Sequence, residues 1–393
     1  MIRPEQALSI LAEAVHPVEP AALPLGRVAG AFLASPVHAR LPFPPRAVAA
    51  MDGYAVRVQE AQSRVLPVAF TVKAGELPPP LPPASCARIF TGAPVPEGAD
   101  AVVAQEEVTV APGGVRFPET LEPGENVRPQ GEVFAPGEQL LPAGTRLGPV
   151  QRALLAAAGV SRVAVVRKPR VALVVTGNEL APARPGAGRI VDSNTPMLAG
   201  LLQGEWVELC RKRRVGDEAG ALREALEDAA AAADLVVTTG GVSVGDYDLV
   251  PQVVGALGGK VLFHKVAMQP GKPLLAALLG KTWLLGLPGN SVSALVGYCL
   301  FVRPCLRRLA GDGQAFALPW LRLPAAAPAK NQGKRVQFRP ARLVSSQGRW
   351  AVEVLAWKGS HDLAAAARAT HLARLEPESA VAQGEEVAVL GIF

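Results

Sequence analysis

At 393 residues the chain is too long for one ordinary core, so two to four domains are expected, and 49% of it is apolar. The formal charge of +6 is modest for this length and suits an anionic small molecule; no aromatic-interleaved basic stripe points to nucleic acid. Cys86, Cys210, Cys299 and Cys305 lack C-x-x-C spacing, which argues against a disulfide framework or a structural zinc and for a reducing cytoplasm.

Met1 to Gln6 has neither the basic start nor the apolar run of a signal peptide. No uninterrupted apolar stretch reaches the ~20 residues of a membrane helix, so no membrane partner is expected. Residues 5 to 15 read as a short amphipathic helix ending before His16-Pro17. From about 40 to 135, short β-like runs such as 68–72 and 101–104 alternate with Pro and Gly clusters, the texture of a small all-β module. Residues 149 to 158 look helical and end at Gly159, a natural C-cap.

The character changes near Lys168-Pro169. Val171-Ala172-Leu173-Val174-Val175 is a continuous apolar run of strand length, as expected of a parallel strand covered on both faces. A helix at 195–203, a strand at 206–210, a helix at 217–232 and a strand at 235–239 follow. Arg211-Lys212-Arg213-Arg214 reads as a solvated strand end. Further strands are expected at 261–266, 273–279 and 282–287, with a closing helix over 291–309. This alternation predicts βαβ units and a mostly parallel sheet. Beyond Gly311-Asp312-Gly313 the pattern is β-like, with alternation at 336–338 and 350–354.

In an open α/β sheet, ligands bind beyond the carboxyl ends of the strands. Four such ends carry unusual residues: Thr176-Gly177-Asn178-Glu179, Gly240-Gly241-Val242-Ser243-Val244-Gly245 with Asp246 and Asp248, Pro270-Gly271-Lys272-Pro273, and Pro288-Gly289-Asn290-Ser291. Glycines at strand-to-helix turns let backbone N–H groups approach an anion. Acids just beyond would repel a bare phosphate but suit an intervening Mg²⁺. The same segment also reads as a tight turn with a dipole-favoured acid, and Asn290 or Ser291 as a plain N-cap. Lys265 and Lys272 suit an oxyanion, or a surface. In the N-terminal half, Asp52 before Gly53 and Thr91 before Gly92 read as turns.

Together these segments resemble the molybdopterin molybdenumtransferases, a family that includes the E domain of gephyrin. The resemblance spans essentially the whole chain, through Met51 to Ala55, Thr91 to Pro94, Gly98 to Val103, Asn126 to Arg128 with Gly131-Glu132, Thr176-Gly177 with Glu179-Leu180, Asp192-Ser193-Asn194, Gly240 to Asp248, Pro270 to Pro273, Leu287 to Asn290 and Gly359-Ser360-His361. It implies a multidomain α/β plus β protein. A helical linker domain of residues 1–40 and 137–166 holds an inserted β module, 41–136; an α/β molybdopterin-binding domain, 167–311, precedes a C-terminal β-barrel-like domain, 312–393. It further implies a cytoplasmic homodimer that takes adenylylated molybdopterin and molybdate and releases AMP with Mg²⁺. Carried over residue by residue, the functional acids are Asp52, Glu179, Asp217 and Asp248, with Thr91 and Lys265 in support. Glu179 and Asp248 are assigned to metal or water. Thr176, Gly177, Ser193, Gly240, Gly241, Val242, Ser243, Gly245, Pro270, Gly271, Lys272, Pro288, Gly289, Asn290 and Ser291 are assigned to the pterin diphosphate. Asp52 and Thr91 are expected to reach the site from the partner subunit.

Four positions depart from the family pattern. Val133 stands for an Asp, Gln269 for a Lys, Asn178 for an Asp and Ser291 for a Pro. These departures also fit a molybdopterin-binding paralogue that is non-catalytic or tuned to tungstate. The α/β domain alone would fit an adenylyltransferase acting one step earlier; the β module and the C-terminal domain argue against that.

Overall fold

The computed structural model describes residues 1–181, 188–204, 206–242, 249–346 and 348–393. Its central sheet has six strands: β1 Arg170–Thr176, β2 Glu208–Val215, β3 Leu235–Thr239, β4 Lys260–His264, β5 Leu275–Leu279 and β6 Thr282–Leu287. Their order is β2-β1-β3-β6-β5-β4. β2, β1, β3 and β6 run parallel, whereas β5 and β4 return antiparallel at one edge.

The apolar runs read from the sequence are buried on both sides of this sheet. Val171, Leu173, Val175, Leu235 and Val237 face one core; Ala172, Val174 and Val236 face the other. Period two alone sends neighbouring side chains to opposite faces, so a strand covered twice has no polar alternation. The helices Ala219–Ala232 and Leu249–Ala256 cover the second face. Asn194–Leu201 and the closing helix cover the first.

Three boundaries differ from expectation for local reasons. β2 continues through the basic run, because parallel pairing with β1 extends from Glu208 to Val215. Arg211 and Arg213 lie across from Asp228 and Glu224 of the neighbouring helix, at 3.6 and 3.8 Å. These residues are exposed on an edge strand, where charge discourages pairing with another chain. β4 stops at His264 because Lys265 takes φ +74. The closing helix holds one π turn, Tyr298–Val302, between Ser291–Gly297 and Arg303–Leu309.

In the N-terminal half, Gly53–Val56 sits between Cys86–Ile89 and Ala101–Ala104 in a four-stranded sheet. Successive residues again serve two cores, Ala101 and Val103 on one side and Val102 on the other. The flanking segments contain the helices Pro4–Ala14 and Pro149–Ala157 and the antiparallel pair Pro20–Pro24 with Arg162–Val166. Ala7 and Leu11 of the first helix, and Val15 just after it, pack into the α/β core.

At the C-terminus, Leu321–Pro324, Val336–Ser346, Arg349–Val354, His371–Leu375 and Glu386–Gly391 form one antiparallel path. Its outer strands meet at one bridge, Ala325 to Val352, so the sheet curls without closing into a continuous barrel. Phe338, Leu372 and Leu390 of this sheet share a core with Leu173, Leu235 and Leu285. A two-residue strand, Met268–Gln269, pairs in parallel with Val336–Gln337.

Candidate functional site

A pocket of about 300 Å³ opens where the strand order reverses, between the carboxyl ends of β1 and β3 and beside that of β6. This is the crevice in which open α/β sheets bind ligands. β1 contributes Thr176, Gly177 and Glu179, and the loop after β2 contributes Asp217. β3 leads into Gly240, Gly241 and Val242, and β6 into Pro288, Gly289 and Asn290. All ten were expected in the site. The eleventh lining residue, Pro273, ends a motif whose other members were chosen instead.

Close approach of the loops requires glycine at Gly240, and Gly177 lies under a flexible side chain. At Gly240, with φ +91, a Cβ would lie 2.4 Å from the Thr176 carbonyl oxygen. At Gly177, with φ +150, it would lie 2.6 Å from a Glu179 carboxylate oxygen. The Glu179 side chain therefore folds back over Gly177. It is exposed, and its oxygens have no donor among the described residues. Asp217 is bound differently. One oxygen accepts from the Thr176 hydroxyl and the other from the Asn178 N–H, both at 3.0 Å.

A buried network holds the β3 and β6 ends together. The Asn194 amide donates to the Thr239 hydroxyl at 2.9 Å and to the Gly289 carbonyl at 2.7 Å. Thr239 donates in turn to the Pro288 carbonyl. Ser193 and Ser291 pair through their hydroxyls at 2.9 Å, so both lie beside the pocket without lining it. Asn290 donates to the Ser360 hydroxyl at 3.0 Å, which brings the Gly359-Ser360-His361 loop against the turn.

Other expected residues fall elsewhere. Pro270 and Gly271 are buried, and a Cβ at Gly271 would meet the Met268 side chain at 2.6 Å; both shape the loop. Lys272 is exposed and accepts the Val266 N–H through its carbonyl. Lys265 has φ +74, and its backbone joins Leu274 and Ile2. None of the four lines the pocket. Val242 is buried at 1% exposure, so it offers backbone, and its carbonyl meets His264 Nε2 at 3.0 Å. Ser243, Gly245 and Asp248 lie outside the described residues. Among the described residues no group of three or more His, Cys, Asp or Glu gathers to hold a metal ion.

Asp52 and Thr91 meet each other in the β module and do not line the pocket. The Thr91 N–H and hydroxyl both donate to one Asp52 oxygen at 2.7 Å. These two bonds, with a smaller contribution from the Arg88 charge, hold the Asp52 carboxyl below its ordinary range. The ionised form is the one favoured. Its benefit is present above the unfolded-state value and is lost as pH falls through the folded one. Thr91→Val removes the hydroxyl bond and keeps the N–H bond. Carbon-detected NMR titration of the variant is expected to move the Asp52 midpoint part of the way up, and an unmoved midpoint would contradict this account.

Sequence reasoning missed a second cavity of about 640 Å³ against the C-terminal sheet. Gln269, Lys330, Asn331, Gln337, Arg339 and Trp357 line it, and no lining residue is acidic. Burial pushes the Arg339 guanidinium pKa down, and its Nε is buried without an acceptor among the described residues. Burial holds the cysteine thiols in their protonated form. Burial raises the Cys86 thiol to about 11 and Cys299 to about 12.

Residues 2–159 match the MoeA N-terminal region (domain I and II), 172–308 a probable molybdopterin binding domain, and 322–392 the MoeA C-terminal region (domain IV). These regions in this order define a multidomain α/β and β protein of the MoeA type. A molybdopterin molybdenumtransferase of Haemophilus influenzae is 35% identical over 397 residues, 99% of this chain and 98% of that protein. One from a Nostoc strain is 38% identical over 79% of this chain and 74% of its own length. The structure of a molybdopterin biosynthesis MoeA protein from Pyrococcus horikoshii superposes with a TM-score of 0.85 at 30% identity, covering 100% of this chain and 99% of that one. The chain belongs to the molybdopterin molybdenumtransferase family.

Proposed function

We propose that this protein transfers molybdenum from molybdate to adenylylated molybdopterin and releases AMP, in the synthesis of the molybdenum cofactor. The observation that carries the reading is the convergence of four strand-end loops on one polar pocket with an exposed carboxylate, Glu179. Backbone N–H groups of Gly241 and Gly289 suit the diphosphate, since glycine lets main chain approach an anion closely, whereas the Gly240 N–H is held by the Leu287 carbonyl. The pterin lies along the same crevice.

Magnesium favours one or two carboxylates plus phosphate oxygens, which suits the exposed Glu179 carboxylate beside the glycine turns. Glu179 and Asp248 would hold it, and bound there it would neutralise charge developing on the phosphates. The cavity that Arg339 and Lys330 line supports an oxyanion near Gln269, because it gathers two cationic side chains and no acidic one. Gln269 donates without charge, which moves the cationic burden to Arg339 and Lys330. Asp52 and Thr91 lie outside the pocket of their own chain, which supports a homodimer in which each protomer completes the other's site. The cytoplasm, where the nucleotide substrate is made, is the fitting compartment.

The test is to incubate the purified protein with adenylylated molybdopterin, molybdate and Mg²⁺. AMP release that depends on molybdate is expected. Binding without release would replace this reading with that of a pterin-binding protein, and consumption of ATP with free molybdopterin would make it an adenylyltransferase.

A further inference from the structure

We propose that Asp217 is a positioning residue, which acts on the reaction by clasping the loop that carries Glu179. The inference rests on the transfer reading above and assigns a role within that site.

Asp217 and Asn178 form a reciprocal pair. The Asn178 N–H donates to Asp217 Oδ2 at 3.0 Å, and the Asp217 N–H donates to Asn178 Oδ1 at 3.0 Å. The Thr176 hydroxyl closes the arrangement by donating to Asp217 Oδ1 at 3.0 Å. Three bonds thus join the loop after β1 to the loop after β2. Gly216 leaves room for the pair, since a Cβ there would lie 2.7 Å from Asn178 Oδ1.

The Asp217 carboxylate serves this clasp only by accepting hydrogen bonds at fixed places, while the Asp217 N–H donates the third bond. Glu179 follows Asn178 directly, and its own carboxylate takes no donor among the described residues. The division of labour is then plain. Asp217 fixes the backbone at Asn178, and Glu179 faces the ligand. The neutral amide at Asn178 keeps a second negative charge away from Asp217, where two neighbouring carboxylates would disfavour each other's ionisation.

An amide at 217 can keep the clasp. Its oxygen accepts from Asn178, and its NH₂ donates to the Thr176 hydroxyl, which accepts as readily as it donates. A methyl group keeps neither bond. Asp217→Ala is therefore expected to lower kcat/KM about 100-fold, the scale of an ångström's misplacement of a reacting group. Asp217→Asn is expected to stay within about tenfold of the parent, the scale of one weakened hydrogen bond. The Mg²⁺ concentration dependence should match the parent in both variants.

The proposal is overturned if Asp217→Asn falls as far as Asp217→Ala, or if raised Mg²⁺ restores Asp217→Ala, since either result makes the charge a metal or water ligand. Amide hydrogen exchange supplies a readout free of turnover. The Asn178 amide should exchange slowly in the parent and in Asp217→Asn and rapidly in Asp217→Ala. Equal exchange in all three would overturn the clasp even with an active parent. A parent that releases no AMP would instead sink the functional reading and leave the clasp to be judged by exchange.

Discussion

Gly240→Ala is expected to abolish molybdate-dependent AMP release and to lower the melting temperature. The added methyl carbon would meet the Thr176 carbonyl oxygen at 2.4 Å and its carbon at 3.2 Å. Both are backbone atoms of β1, so no side chain can swing aside. The residue also sits at φ +91, where an L side chain costs about 1–2 kcal/mol. Overpacking adds about 1–3 kcal/mol, giving a total on the order of 2–5 kcal/mol. Relief by parting β1 from β3 would widen the pocket between them and draw Thr176 from Asp217. The activity loss should exceed about 100-fold even where the variant stays folded. Melting by circular dichroism beside the AMP assay checks both halves. A variant with parent-like stability and rate would show that the two strand ends do not meet as described.

Glu179→Gln is expected to leave the fold unchanged and to lower kcat by roughly 100- to 1000-fold, the range seen when one preorganised charge-stabilising group is lost. The side chain is exposed and its oxygens take no donor from the described residues, so the swap removes charge and little packing. A larger Mg²⁺ requirement should accompany the fall in rate if this carboxylate holds the cation. Parent-like rates across a Mg²⁺ titration would remove Glu179 from the mechanism and with it the assignment of the cation.

Much of this was legible in the chain itself, because the signals were local. Val171 to Val175 announced a doubly covered strand, and Gly240-Gly241 and Pro288-Gly289-Asn290 fell at strand ends where an open sheet binds ligands. What the sequence hid were relations between distant segments. Nothing near Arg339 says that it ends up lining one cavity with Gln269, which a two-residue strand brings alongside Gln337 across more than sixty positions. Lys265 and Lys272 carry charge that is visible in a sequence, whereas the backbone bonds that shape their loop are not. The departures acquire meaning only in three dimensions. Ser291 finds Ser193, Asn178 finds Asp217, and Val133 is a 58% exposed turn residue whose N–H meets the Phe43 carbonyl.

The shared core beneath the central and C-terminal sheets makes them thermodynamically one object. Phe338 and Leu372, remote from the pocket in sequence, lie in the same packed interior as Leu173 and Leu235, whose strands deliver Thr176 and Gly240. Hydrophobic interiors are dense and transmit distortion, so a truncation past Gly311 would strip contacts from under the catalytic strands themselves. Grafting another module at that point would demand a new interior, because no freely hinged tether separates the two.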